Sequence, residues 1–105
     1  MRLSANELHT TVQLRELQIR VAKGDEVAFT QLYVHFGKKL IHFAISLVRS
    51  REISEELVED VFVKLWANRN TITDIENLTV YLYVAVKNRS LNSLSHKAKE
   101  LIAAP

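Results

Sequence analysis

The chain has 105 residues, 48% hydrophobic and 25% charged, with a net charge of +2 from 14 Lys and Arg against 12 Asp and Glu. This is the balance of one globular domain with a single core, not of a disordered tail. Two Gly and one Pro are too few for a β-rich fold of this size, and the lack of Cys excludes disulfides and thiolate metal sites.

Met1 to Thr10 holds no apolar run of signal-peptide type. The most apolar stretch, Leu32 to Val48, is broken by His35, Lys38, Lys39 and His42, which excludes a membrane span. The one proline is Pro105, so no interior position is barred from a helix.

Four helices are expected. The first covers about Val12 to Lys23, with Gly24 as its C-terminal stop and residues 1–11 as a tail. The second follows Asp25, a good N-cap, and reaches about Arg49. Its Phe29, Tyr33, Phe36, Leu40, Phe43 and Leu47 recur at helical spacing and form the expected core seam, with Gly37 tolerated inside it.

The third helix covers about Glu52 to Asn68, capped by Ser50 or Ser54, with Ile53, Leu57, Val58, Val61, Phe62, Leu65 and Trp66 as its apolar face. A polar connector comes next, Arg69 to Asn77, which Ile72 and Ile75 tuck onto the core. The fourth helix covers about Leu78 to Lys99, and residues 100–105 read as a tail or the start of a linker. Four helices with short connections imply an all-α bundle, one domain over residues 12–99.

Charge is unevenly placed. Glu52, Glu55, Glu56, Glu59 and Asp60 crowd the third helix with no base among them, whereas Lys87, Arg89, Lys97, Lys99 and His96 load the fourth with no acid. Acids one turn apart on one face repel, which suits a basic partner; a solvated face whose acids favour the helix dipole is the plainer reading. The fourth helix also carries Asn88 and Asn92 one turn apart, with Tyr81 and Tyr83 upstream. Asn can address a base edge and Tyr can stack on an unpaired base, although Tyr81 suits a core position equally.

No catalytic constellation is present. His9, His35, His42 and His96 are scattered, and no glycine-rich phosphate loop or nucleophile motif occurs. Neither an enzyme nor a metal or other cofactor is expected.

Three blocks carry a resemblance. Ala28 to Phe36 is similar to F-x-x-L-Y-x-x-Y/F, Ser54 to Trp66 to A-E-D-L-V-Q-E-V-F-x-K-L-W, and Tyr81 to Arg89 to Y-L-Y-x-I-A-x-N-x. In this order and at these gaps they resemble domain 2 of the extracytoplasmic-function sigma factors of the sigma-70 family, over about Gln13 to Lys99.

The resemblance implies that the third helix docks on the clamp helices of the largest subunit of core RNA polymerase, with Glu56, Glu59, Asp60 and Phe62 at contact positions. It implies that the fourth helix faces the non-template strand of the promoter −10 element, and that the connector through Asn77 forms the pocket for a flipped-out base. Asn88 and Asn92 would read that base beside Tyr81 and Tyr83, while Lys39, Lys87, Arg89 and Lys97 would meet DNA. Glu56 and Glu59 stand where the family has Asp and Gln, and the basic run after the fourth helix is thin: His96, Lys97, Ala98, Lys99.

A cytoplasmic location without membrane insertion and an anti-sigma partner are further implications. The family's second DNA-binding domain, which reads the −35 element, is not among these residues, so a fragment or a short relative is expected. One alternative is a sigma-like module that binds polymerase or an anti-sigma protein without reading bases. The other is a helix-turn-helix regulator of duplex DNA, whose binding would fall steeply with salt.

Overall fold

A computed structural model describes the backbone of residues 5–103 and the side chains of residues 11–103. The elements are α1 (Ala5–Ala22), α2 (Glu26–Val48), α3 (Arg51–Ala67), a 3-10 helix (Arg69–Asp74) and α4 (Leu78–Ala103). The all-α bundle expected from the sequence is what forms. Helix α1 starts earlier and α4 ends later than their apolar patterns suggest. No Gly or Pro interrupts either extension, and an existing helix grows by one hydrogen bond per residue added.

The boundaries between helices have local causes. Asp25 caps α2, its Oδ1 accepting from the Ala28 N–H at 3.1 Å, while Oδ2 pairs with Arg20 Nε at 2.9 Å. Those two contacts, the backbone N–H first and Arg20 second, hold its carboxyl below the ordinary value. Gly24 takes φ 90, and its N–H donates to Val21 at 2.9 Å, closing α1. Helix α2 ends on Arg49 at φ 59, a left-handed position held by a 2.8 Å bond from its N–H to Ile45.

Of the two candidate capping serines, Ser50 caps α3. Its Oγ accepts from the Ile53 N–H at 3.2 Å, and Ser54 Oγ donates back to the Ser50 carbonyl at 2.6 Å.

The core gathers Val21 of α1, Val58, Val61, Phe62 and Leu65 of α3, Ile72 of the 3-10 helix, and Leu78, Leu82 and Val86 of α4 around α2. The α2 seam differs from the expected one. Ala28, Leu32, Phe36, Leu40, Ala44 and Val48 are buried, whereas Phe29, Phe43 and Leu47 are half-buried and Tyr33 is 36% exposed. Helix α2 packs against α1, α3 and α4, so its buried line is set by those three neighbours, and Phe29, Tyr33 and Phe43 flank it.

Candidate nucleic-acid interface

Helices α2 and α3 run antiparallel, because Phe29 meets Trp66 with ring centroids 5.0 Å apart and Tyr33 meets Phe62 at 5.0 Å. Toward α4, Asp60 pairs with Arg89 at 3.8 Å. Helix α3 therefore has two working sides, one against each neighbour.

On the α4 side, Tyr81, Ala85, Asn88, Arg89 and Asn92 succeed one another at helical spacing and so share a stripe. With Val61, Lys64 and Leu65 of α3 they line a cleft of about 420 Å³. Val61 and Leu65 are buried and give it an apolar floor, while Lys64, Tyr81, Asn88 and Asn92 are exposed around it. A planar polar ligand set here would have a ring beside it, two amides offering donors and acceptors, and cations at the rim. Four of the residues singled out in the sequence, Tyr81, Asn88, Arg89 and Asn92, thus come together, and Lys64 joins them unexpectedly. Its three-residue spacing from Val61 on α3 was the available signal.

The remaining candidates lie elsewhere. Tyr83 packs edge-on against Phe43 of α2, centroids 5.1 Å apart and planes at 65°, and is half-buried on a different side of α4 from Tyr81. Two residues along a helix turn a side chain through roughly 200°, so two tyrosines at that spacing cannot share a ligand on one face. Lys39 and Lys87 are exposed, each one helical turn from that Phe43–Tyr83 contact, which puts them beside α2 and α4 rather than in the cleft. Lys97 is exposed near the end of α4. Asn77 caps α4, its Oδ1 accepting from the Val80 N–H at 3.1 Å, so its side-chain oxygen already has a backbone partner. Arg89 is drawn partly toward Asp60 by their ion pair.

On the α2 side, Phe29, Tyr33, Glu59, Phe62, Val63 and Trp66 line a groove of about 370 Å³. Phe62 is only 2% exposed and edges onto Phe29 at 6.0 Å. It is therefore the groove's floor and a core side chain, and the surface a partner can touch comes from Tyr33, Glu59, Val63 and Trp66. The sequence signal was an excess of bulky apolar residues, more than one core face of α2 and α3 can absorb.

Glu52, Glu56 and Glu59 lie along α3 at spacings of four and three, all exposed and with no cation partner among the described residues. Glu55 pairs with Arg51 at 3.7 Å.

These features define a class: an all-helical module with two chemically distinct surfaces either side of one helix, an apolar and acidic groove shared with α2 and an amide-bearing, basic cleft shared with α4. A family model described as sigma-70 region 2 matches residues 32–100, and the chain belongs to that family. Searches of the curated proteins and of the solved structures return no match. Region 2 of a sigma factor takes part in binding core RNA polymerase and in melting the promoter at transcription initiation, and sigma factors regulate transcription without being enzymes. No helix among the described residues is long and apolar enough to cross a membrane.

Proposed function

We propose that this domain comes from a sigma factor of the extracytoplasmic-function type, that it docks on the polymerase clamp helices through the acidic face of α3, and that it reads the non-template strand of the −10 element in the α3–α4 cleft. The observation that carries the base-reading step is the gathering of Tyr81, Asn88 and Asn92 with Arg89 and Lys64 around one cleft. Extruding a base from a duplex costs a few kcal/mol, and stacking plus hydrogen bonds in a shaped site can return it. Among the described residues neither the Asn88 nor the Asn92 side chain has a hydrogen-bond partner, so both amides are available to a base edge.

For the docking step, Glu59 supplies negative charge at the groove, with Glu56 one turn before it on α3 and Asp60 at the edge facing α4, and a basic helix with an apolar anchor fits that combination. An anti-sigma protein of the same chemistry would compete for this face. The domain acts where polymerase does, in the cytoplasm.

The test is selection from a short single-stranded library by the chain bound to core polymerase, with the retained strands sequenced. The expected result is enrichment of one short motif, and about a tenfold loss of affinity for that motif on Asn88→Ala or Asn92→Ala. Unchanged selection by both variants would remove base reading from these residues.

The second reading is a polymerase- or anti-sigma-binding module that reads no base. It is favoured by the Asp60–Arg89 pair, which draws a cleft cation toward a carboxylate. That reading expects no enriched motif alongside full binding to core polymerase.

A further inference from the structure

The 3-10 connector between α3 and α4 is held from the far side by α1. Gln18 of α1 is 3% exposed, and its one side-chain nitrogen donates twice, to the Ile72 carbonyl at 2.9 Å and to the Ile75 carbonyl at 3.0 Å. An amide nitrogen has two hydrogens, and both are used here. One turn earlier, Arg15 Nη1 donates to the Thr73 carbonyl at 2.8 Å. Three carbonyls within four residues of the connector thus take their side-chain donors from one face of α1.

The connector needs them. A 3-10 helix makes strained, short-range bonds, and here the internal Ile75-to-Ile72 bond is 3.2 Å long. Buried carbonyls without donors would carry a large desolvation cost. The cleft begins where the connector ends. Asn77 caps α4 through its side chain, its carbonyl accepts from the Tyr81 N–H at 3.0 Å, and Tyr81 is the first cleft residue on α4. The register of the connector therefore sets where α4 begins and where the Tyr81 ring stands over the cleft. Both Arg15 and Gln18 lie outside residues 32–100, the part matched by the family.

We infer that Gln18, assisted by Arg15, is a positioning residue for base reading: it touches no base, but fixes the connector so that Tyr81 and the cleft amides stay in register. This role rests on the proposed base-reading function. The chain requires Gln here for its donors. Leu would fill the space yet leave the Ile75 carbonyl unpartnered, and Glu would lose both donors and set a carboxylate against two carbonyl oxygens.

The test compares the chain with its Gln18→Leu and Gln18→Glu variants, each bound to core polymerase. Two affinities are measured: for the single strand selected by the unaltered chain, and for the same strand with one base changed. Amide hydrogen exchange over residues 69–77 and affinity for core polymerase are measured in parallel.

The expected result is a loss of discrimination between the two strands of about tenfold or more. Exchange in the connector should rise, while affinity for polymerase stays within about twofold, because Gln18 reaches the connector and not the docking face of α3. Unchanged discrimination in variants that fold would overturn the inference. So would an equal loss of strand and polymerase binding, which marks a residue needed only for folding. If neither Gln18 variant folds, Arg15→Ala decides, since Arg15 is exposed: a smaller loss of discrimination supports the inference and none overturns it. If the unaltered chain enriches no motif, base reading itself fails and the positioning role falls with it.

Discussion

Helix α3 meets α2 on one side and α4 on the other, and the two contacts leave different surfaces behind. Against α2, large rings pack edge-on, Phe29 and Tyr33 over Phe62, and leave an apolar groove edged by Glu59. Against α4, small and branched residues meet, Val61 and Leu65 with Ala85, and leave a cleft whose walls are amides, a phenol and cations. The rings of the first pair leave apolar surface open beside Glu59, which suits a protein partner. In the second, Lys64, Tyr81, Asn88 and Asn92 stand exposed around a floor of Val61 and Leu65, which suits a ligand read by hydrogen bonds. A single helix can thus border two recognition chemistries because its two neighbours bring different side chains to it.

The most damaging way to break this division is at its shared support. Phe62→Ala removes a buried ring and should cost about 3–5 kcal/mol of stability, measured by chemical denaturation, and it should weaken both faces together. Charge reversal separates the faces. Glu59→Lys should lower affinity for core polymerase by tenfold or more, a value of roughly 1.4 kcal/mol per decade, with the helical circular-dichroism spectrum kept and strand selection unchanged. Asp60→Lys should lower both, because Asp60 also pairs with Arg89 at the edge of the cleft. Equal behaviour of the two variants in a paired binding assay would mean that the faces are not independent.

Ser50→Ala is the control. It removes the cap of α3 and should cost about 1 kcal/mol in thermal or denaturant unfolding, with no preference between polymerase and strand once the protein is folded. The smallest expected effect lies at the start of α2. The Asp25 carboxyl titrates below its ordinary value of 3.8 because the Ala28 N–H and Arg20 stabilise its charged form. Its contribution to stability is therefore complete above the unfolded value and is lost as pH falls through the lowered folded one. Melting temperature followed from pH 5 downward should fall less steeply in Asp25→Asn than in the unaltered chain. Identical slopes would mean that other carboxylates govern acid unfolding.

The sequence alone determined that the chain is helical, where its helices break and how its charge divides. Asp25, Ser50 and Gly24 act on their nearest backbone neighbours, and such short-range causes are legible in order along the chain. The stripe of Tyr81, Asn88 and Asn92 was legible for the same reason, since helical spacing alone puts these residues on one side of α4.

Only the tertiary structure decided which apolar residues are core. Ala28 and Ala44 line the buried seam of α2 while Phe29 and Phe43 flank it, because a helix enclosed on several sides has its axis of closest approach set by its neighbours and not by its own largest side chains. The same cause sent Tyr83 to Phe43, turned Phe62 inward and brought Lys64 to the cleft. It also joined Gln18 to Ile72 across 54 residues of chain, a contact that no local pattern encodes because its donor and acceptors belong to elements with independent periodicities.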